Sequence, residues 1–166
     1  MCIIFTLENI MEQLNFEIEL EKVFKQIGKS KFAVLATSSQ NKPTARTMSI
    51  VFFDNKIYFQ TSNEYEKYRQ IRENNNVALC IGNMQIEGNA NIKGKTIEQI
   101  KFIEYYKKSH NSSYKKYSKL DESIVIEIEP KKIILWEYNI IGGKPSRIFL
   151  EMETKKAYRK LEPYTK

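Results

Sequence analysis

Several residue types and patterns that mark common protein classes are scarce or missing in this sequence. Only 6 glycines and 4 prolines occur among 166 residues, which excludes collagen-like and low-complexity chains. The two cysteines, Cys2 and Cys80, form no C-x-x-C pair and no disulfide framework. Cys80 lies in the apolar run VALCI, so we interpret it as a small core residue in a reducing compartment.

No segment has the features of a membrane anchor or of a secretion signal. Apolar runs stay well below the ~18–20 residues that a membrane-spanning helix needs. The opening MCIIFTLENIMEQ lacks a basic start followed by an unbroken apolar segment, so a signal peptide is not predicted. Met11 begins a cleaner amphipathic segment and is an alternative start to Met1. These observations predict a cytoplasmic protein with no membrane partner.

The residues of common hydrolytic and metal sites are also scarce. The single histidine, His110, lies in a polar, loop-like segment, which disfavours both a zinc site and a Ser-His-acid triad. No G-x-G-x-x-G and no Walker-type phosphate loop occurs. Glu87, Glu127 and Glu129 lie on predicted strands, where we interpret them as a solvated face of a sheet. No catalytic acid or base and no metal ligand is therefore predicted.

The sequence does carry an excess of positive charge. Its net charge is +7 and its pI is about 9.2, with 42% hydrophobic and 28% charged residues. A basic chain favours anionic partners, which include phosphate groups, nucleic acid and membrane surfaces. The length predicts one domain over 1–166.

Hydrophobic periodicity predicts alternating helices and antiparallel strands. Phe16, Leu20, Val23, Phe24 and Ile27 form one helical face that ends before Gly28. The predicted elements are a helix over 12–27, strands over 31–39, 44–53 and 57–61, a helix from about 63 with Asn63 and Glu66 as a capping pair, strands over 77–83 and 85–93 with a bulge at Gly88, a helix over 96–109 on the face of Ile97, Ile100 and Ile103, and strands over 124–130 and 131–138.

Tight turns join consecutive strands, so the predicted sheet is mostly antiparallel. Six or seven such strands have edges to protect, and closure into a barrel is a common solution. The strand–helix alternation of doubly wound folds is not present in the pattern. The pattern is therefore that of a mainly β protein with peripheral helices.

One stretch, residues 44–67, has the composition of a phosphate site. Arg46 shares a strand face with Met48, Ile50 and Phe52, and an arginine on an apolar face needs an anionic or polar partner. Thr61 and Ser62 end the next strand, where a helix start offers free N–H groups. The candidate phosphate site comprises Arg46, Thr61, Ser62 and Lys67. In the alternative interpretation, Arg46 reaches a sheet edge and Lys67 is an ordinary surface charge.

The same region resembles a known family. The runs LATSSQNKPTARTM, IYFQTSNEYEK, NNNVALCI, QIEGNANI and IEIEPKKIILWEY resemble, in order, the core of the pyridoxamine 5'-phosphate oxidase-like, FMN-binding split-barrel family. The resemblance covers about 13–138 and leaves 139–166 as a C-terminal tail. It implies a six-stranded antiparallel Greek-key split β-barrel with an N-terminal helix and two or three peripheral helices. It also implies a homodimer with one FMN in each groove between the subunits.

The resemblance further implies roles for individual residues. Arg46 and Lys67 would bind the FMN phosphate, with help from Thr61 and Ser62. The backbone of Thr47, Met48 and Ser49 would run along the flavin ring. Gln85 would approach the polar edge of the flavin from the partner subunit, and Trp136 would border the site. For Trp136, a place in the barrel core is the alternative.

Two departures separate the sequence from the vitamin B6 oxidase itself. Val51 stands where the oxidase has a substrate-binding lysine, and the tail SRIFLEMETKKAY contains no histidine. The resemblance is therefore closer to the nitroimidazole-reductase-like and general-stress-type branch. The implied function is an FMN-dependent oxidoreductase that passes electrons from a reduced nicotinamide or similar donor to a small acceptor.

Two other functions remain open. Residues 93–119 carry eight lysines against two glutamates, interleaved with tyrosines, a composition that could hold single-stranded nucleic acid. A solvated lysine-rich helix with its tyrosines packed inward is the simpler interpretation, and nucleic acid is not the expected partner. A further alternative is that this segment caps the flavin groove and attracts anionic substrates. A haem-handling or non-catalytic split-barrel relative is the other alternative, with His110 or a tyrosine as the axial ligand.

Overall fold

The structure, a computed structural model, describes residues 11–141 and 144–162. Its strands are β1 (Met11–Leu14), β2 (Phe32–Ser39), β3 (Lys42–Ser49), β4 (Val51–Phe53), β5 (Lys56–Ser62), β6 (Asn76–Ile81), β7 (Met84–Lys95), β8 (Ser123–Ile141), β9 (Lys144–Glu151) and β10 (Lys156–Leu161). Its helices are α1 (Phe16–Lys29), α2 (Glu66–Glu73), α3 (Ile100–Ser109) and α4 (Asn111–Tyr117), with a 3₁₀ turn at Thr96–Glu98.

The strands form one antiparallel sheet that wraps around a common core. Its order is β1-β10-β9-β8-β7-β6-β2-β3, and β5 pairs with both β4 and β8. No hydrogen-bonded ladder joins β3 to β5 in the described chain, so hydrogen bonds do not close the sheet. This mainly antiparallel sheet with four helices confirms the predicted split-barrel class, although it has more strands than the six or seven expected.

Helix α1 confirms the predicted apolar face but not the predicted ends. Phe16, Val23 and Ile27 are buried against the sheet. The Asn15 side chain accepts a hydrogen bond from the Ile18 N–H at 3.1 Å, and this cap starts the helix after β1. Gly28 lies inside the helix rather than after it. The unpredicted strand β1 forms because β10 offers it a free edge.

Three predicted strands are divided or joined differently in the structure. The predicted strand 44–53 is divided into β3 and β4 at Ile50, whose N–H bonds to the Lys31 carbonyl. The predicted strands 124–130 and 131–138 are one continuous strand, β8. Pro130 has no N–H to donate, and it lies at a register shift opposite Gly88. The predicted bulge at Gly88 is therefore confirmed, and a Cβ there would lie 2.5 Å from the Glu129 carbonyl oxygen.

Two predictions about helix faces and caps are wrong. Ile97 and Ile100 are exposed, whereas Phe102 and Tyr106 are buried, because α3 packs its aromatic side against Val51. Asn63 does not cap α2, since the helix begins at Glu66 and its N-cap, Tyr65, makes no side-chain hydrogen bond. The Asn63 N–H instead bonds to the Glu122 carbonyl.

Three single residues also differ from expectation, two because of the sheet face they occupy and one because of its place between two helices. Cys80 is exposed, since its neighbours Leu79 and Ile81 take the core side of β6. Glu127, expected on a solvated face, is 5% exposed. His110 is 8% exposed and joins α3 to α4, where its Nε2–H donates to the Ile50 carbonyl at 3.0 Å.

Candidate functional site

A cavity of about 340 Å³ lies where β3 and β5 meet the helices α3 and α4. Many of its lining residues belong to the stretch 44–67 singled out from the sequence. Six of the predicted site residues line the cavity: Thr47, Met48, Ser49, Thr61, Ser62 and Lys67. The predicted site residues Arg46, Gln85 and Trp136 are not part of this lining.

The β3 side of the cavity is a free strand edge. In the described ranges β3 pairs with β2 alone, so one side of its backbone carries no ladder partner. Thr47, Met48 and Ser49 present that edge to the cavity. Unpaired N–H and C=O groups along an edge can hydrogen-bond a planar polar ligand. The backbone of this run is therefore open to a ligand in the cavity, and this is the contact that the resemblance implied.

Arg46 lies on the same face of β3 as the lining residue Met48, two positions away, but does not itself line the cavity. Its Nη1 donates to Thr37 Oγ1 at 2.6 Å and to the Leu35 carbonyl at 3.5 Å, and its Nη2 donates to Thr44 Oγ1. Burial lowers the pKa of Arg46, and the charge of Glu66 only partly opposes this effect. Arg46 makes no salt bridge to a carboxylate of the described residues.

Lys67 is the second cation at this corner. It is half-buried near the start of α2, and its Nζ lies 4.5 Å from the centroid of the Tyr65 ring. Burial and, after it, the positive charge of Arg46 lower the pKa of Lys67. The two cations are therefore close enough to repel each other, as the predicted phosphate site requires. Lys67 also makes no salt bridge with any of the described residues.

Thr61 carries a buried hydroxyl at this corner. Its Oγ1 is buried and has no hydrogen-bond partner, alone among the buried side-chain oxygens and nitrogens of the described residues. A buried hydroxyl without a partner is costly, so Thr61 is a candidate contact for a polar group of a ligand. Ser62, by contrast, accepts a hydrogen bond from the Glu64 N–H at 3.1 Å.

The helices α3 and α4 contribute a wall that the sequence did not predict in detail. Tyr106, Ser113 and Tyr117 line the cavity opposite the strands, together with Gln60 of β5. Burial raises the pKa of Tyr106, while hydrogen bonds to Ser49, Ser113 and Gln60 act in the opposite direction. The sequence signal was the interleaved tyrosines of 93–119, for which a solvated helix was the simpler interpretation and a cap over the flavin groove was an alternative.

Gln85 and Trp136 lie on an outer face of the sheet. Thr47 pairs with Val34, Val34 with Cys80, and Cys80 with Gln85, so these residues form one row across four strands. Thr47 and Gln85 are thus three strand spacings apart, or roughly 14 Å. Trp136 stacks on Tyr138 and under Arg147, outside the apolar core, so the alternative of a core tryptophan is wrong.

The other candidate side chains make packing contacts and salt bridges with residues of the fold itself. The His110 ring packs against Phe32 and Tyr106, and this leaves it poorly placed as a haem ligand. In the lysine-rich segment, Lys93, Lys95 and Lys101 pair with acidic residues. Across the described residues, no cluster of His, Cys, Asp and Glu has the geometry of a metal site. No helix in that part of the chain is both long and apolar enough to cross a bilayer.

The family can now be assigned. The sequence model of the pyridoxamine 5'-phosphate oxidase family matches residues 20–137. The chain belongs to this family. The match contains every residue that lines the cavity, and it ends at Glu137 in β8. The resemblance found in the sequence is confirmed at the level of the family.

Solved structures show the same fold. General Stress Protein 26 from Bacillus anthracis is 24% identical with a TM-score of 0.60, and the match covers 81% of this chain and 98% of that one. A protein related to general stress protein 26 from Clostridium acetobutylicum is 12% identical with a TM-score of 0.65 (86% and 99% covered). The haem storage protein HutZ from Vibrio cholerae is 14% identical with a TM-score of 0.55 (70% and 91% covered). A comparison with curated protein sequences gives no significant match.

Proposed function

We propose that this protein binds FMN in the cavity between β3 and α4 and acts as an FMN-dependent oxidoreductase. The observation that carries the proposal is the corner of Arg46, Lys67 and Thr61. Two half-buried cations there make no salt bridge in the described chain, where Glu66 acts on Arg46 only through its charge, and a buried hydroxyl of the described residues has no hydrogen-bond partner. A phosphate dianion would neutralise the cations and satisfy the hydroxyl.

The rest of the cavity fits the remaining parts of the same cofactor. The free edge of β3 at Thr47, Met48 and Ser49 offers backbone groups for the polar edge of a flavin ring. Tyr117 and Leu120 supply aromatic and apolar surface on the opposite wall. A bound flavin would supply the transfer of a hydride or of electrons, and the protein would hold it, exclude water and admit a small acceptor.

The pyridoxamine substrate of the vitamin B6 oxidase is not part of this proposal. Val51 is buried in the layer under α3 and carries no charge where that enzyme has a lysine. We therefore propose a small electron acceptor other than pyridoxamine phosphate, with a reduced nicotinamide or a similar molecule as the donor.

We also propose that two copies of the chain assemble on the outer face that carries Gln85. Val34 is 42% exposed and Phe32 is 56% exposed on this face, beside Cys80. A second copy would cover these apolar groups and would bring its own Gln85 and Trp136 toward the cavity of the first. In this arrangement FMN lies at the interface between the subunits.

Flavin binding tests the proposal directly. We expect purified protein to be yellow, or the colourless protein to quench the fluorescence of added FMN with a defined stoichiometry. Reduction of the bound flavin by NADH or NADPH, followed by a panel of small oxidants, then tests the oxidoreductase function. Protein that binds no flavin under any condition would overturn the proposal, and uptake of haem instead would favour the haem-handling alternative.

Assembly has its own test. Sedimentation of the wild type should give a dimer, and Val34→Glu should shift it toward the monomer and weaken FMN binding. The matched control is Ile100→Glu, which changes an exposed isoleucine of α3 that lies off the proposed interface. A monomeric wild type with full FMN affinity would contradict the proposed interface.

A further inference from the structure

A buried hydrogen-bond network lies behind Arg46, away from the cavity. Its members are Gln70 of α2, which is 2% exposed, Thr37 of β2, which is 1% exposed, and Thr44 of β3. Thr37 and Thr44 donate their hydroxyl hydrogens to Gln70 Oε1 at 2.5 and 2.8 Å. Both threonine oxygens in turn accept hydrogen bonds from the guanidinium of Arg46.

The groups at the two ends of the network, the Gln70 amide and the Arg46 guanidinium, determine which atom donates in each hydrogen bond between them. Gln70 Nε2 donates to the Lys42 carbonyl at 3.2 Å, and this bond orients the side-chain amide with Oε1 toward the threonines. A guanidinium can only donate, so the threonine oxygens facing it must accept. Each threonine therefore uses its hydrogen on Gln70 and its lone pairs on Arg46.

This arrangement holds Arg46 without neutralising it. Carboxylates are the usual partners of a buried guanidinium, but all three of its acceptors here are neutral oxygens. The guanidinium is therefore not tied up in a salt bridge, and apart from the nearby charge of Glu66 its positive charge stays available to an anion at the corner. A carboxylate in place of Gln70 would compete with that anion.

The network also sets the distance between the two cations. Gln70 lies three residues after Lys67 on α2, so the two side chains share one side of the helix. Through Thr37 and Thr44, Gln70 ties that helix to the strand that carries Arg46. Lys67 and Arg46 thus lie on two elements joined by one buried amide.

We infer that Gln70, with Thr37 and Thr44, is a positioning residue that holds Arg46 as a charged, unneutralised ligand for the phosphate of the cofactor. The inference rests on the proposed FMN function. Nothing in this role requires Gln70 to touch the cofactor. Its effect should therefore fall on recognition of the phosphate and not on recognition of the flavin ring.

The ratio of the riboflavin Kd to the FMN Kd isolates that effect, because riboflavin lacks only the phosphate. We expect Thr37→Val, which keeps the shape but removes the hydroxyl, to lower this ratio roughly tenfold with the riboflavin Kd unchanged. Thr37→Ser restores the hydroxyl and should restore the ratio. A purely structural role would weaken both ligands equally and would not distinguish Val from Ser.

Gln70→Glu tests the charge separately from the geometry. The new carboxylate can still accept from both threonines, yet it places a negative charge beside Arg46, so we expect the preference for FMN to fall further than in Thr37→Val. The matched control is Gln99→Glu, since Gln99 also donates its amide to a carbonyl, that of Lys93 at 2.9 Å, but lies away from this corner. That control should leave both Kd values unchanged.

The outcomes separate this inference from the proposed function. A wild type with no preference for FMN over riboflavin would overturn the phosphate site itself. A wild type that prefers FMN, with the preference kept in both Thr37→Val and Gln70→Glu, would overturn only the positioning role. If Gln70→Glu does not fold, as judged by its thermal melt, the comparison of Thr37→Val with Thr37→Ser still decides.

Discussion

Two clusters of charge lie on the same sheet, and they differ in whether their charges are paired. Around Glu127, Lys56 Nζ lies 3.0 Å and Tyr58 Oη 2.9 Å from its carboxylate oxygens, and Lys93 Nζ lies 3.6 Å away. Burial raises the pKa of Glu127, but its hydrogen bonds and nearby lysines outweigh burial and lower it. At the other cluster, Arg46 and Lys67 have lowered pKa values and no salt bridge in the described ranges.

The difference separates a structural cluster from the proposed binding site. The cluster at Glu127 satisfies its buried charge from three neighbouring side chains, and Tyr58 shows the cost, since burial and Glu127 raise its pKa. The corner at Arg46 and Lys67 collects positive charge that no salt bridge among the described residues neutralises, and the nearby charge of Glu66 offsets only part of the effect of burial on Arg46. Buried cations alone do not indicate a binding site. Cations that lack a salt bridge are the feature on which the proposed site rests.

The largest expected effect concerns the unpaired cluster. Arg46→Ala combined with Lys67→Ala should weaken FMN binding about 100-fold or more, because two charge-assisted interactions worth ~1.5–3 kcal/mol each are lost. Riboflavin affinity should change little. Fluorescence titration with both ligands measures the effect, and an equal loss for riboflavin would contradict the phosphate site. Lys56→Ala plus Lys93→Ala, two lysines of the paired cluster, is the matched control.

The paired cluster should matter for stability instead. Glu127→Gln leaves Lys56 and Lys93 without their carboxylate, and we expect the free energy of unfolding to fall by about 2–3 kcal/mol. Arg46→Gln should change the stability of the flavin-free protein by less than about 1 kcal/mol, because repulsion with Lys67 is relieved. Urea denaturation of both variants measures the contrast. A larger loss for Arg46→Gln would remove the distinction between the clusters.

The two clusters should also respond to opposite ends of the pH scale. The folded-state pKa of Glu127 is lowered, so its contribution is present above the unfolded value of about 4.3 and is lost as the pH falls through the folded value. The pKa of Lys67 is lowered, so the flavin-free protein should gain stability as the pH rises toward about 10.4. Subtracting the profiles of Glu127→Gln and of Lys67→Met from the wild type isolates each effect. A difference in unfolding free energy that does not change with pH would contradict the two pKa shifts.

The smallest effect is expected from exposed lysines near the cavity. Lys115 and Lys116 lie on α4 and are solvent-exposed, so salt screens their charges. Lys115→Gln with Lys116→Gln should change the FMN Kd by less than about threefold at physiological ionic strength. The same variants in a low-salt DNA retention assay test the polyanion alternative, which predicts binding that falls steeply with added salt. No retention by the wild type would remove that alternative.

Local pattern was enough to predict most of the elements. The helical face of Phe16, Val23 and Ile27 and the turns between strands follow from spacing, because periodicity reports which side of an element is buried. The bulge at Gly88 was also predictable, since a glycine inside a strand often marks a close approach of backbone. The continuity of β8 was not predictable, because a proline usually ends a strand. Pro130 is tolerated within β8 because it lies at the bulge.

The candidate site was predictable in part for the same reason. Thr61, Ser62 and Lys67 were predictable because a strand end and a helix start are local features, and the cavity contains them. Gln70, Thr37 and Tyr106 were not, since each contributes through contacts with segments far away in the chain. The exposed position of Cys80 was also missed, because it too depends on contacts with distant segments. The alternation of side chains along β6 does not tell which face of the sheet the core covers.

By itself, the sequence determined the family, the element types and the stretch that carries the candidate phosphate site, because these depend on neighbours along the chain. Only the tertiary structure decided which charges are paired. Lys56 meets Glu127 across 71 positions, whereas Arg46 meets threonines and an amide. Electrostatic energy depends on distance through space and on burial, and antiparallel pairing sets both by bringing together residues that the linear order keeps apart.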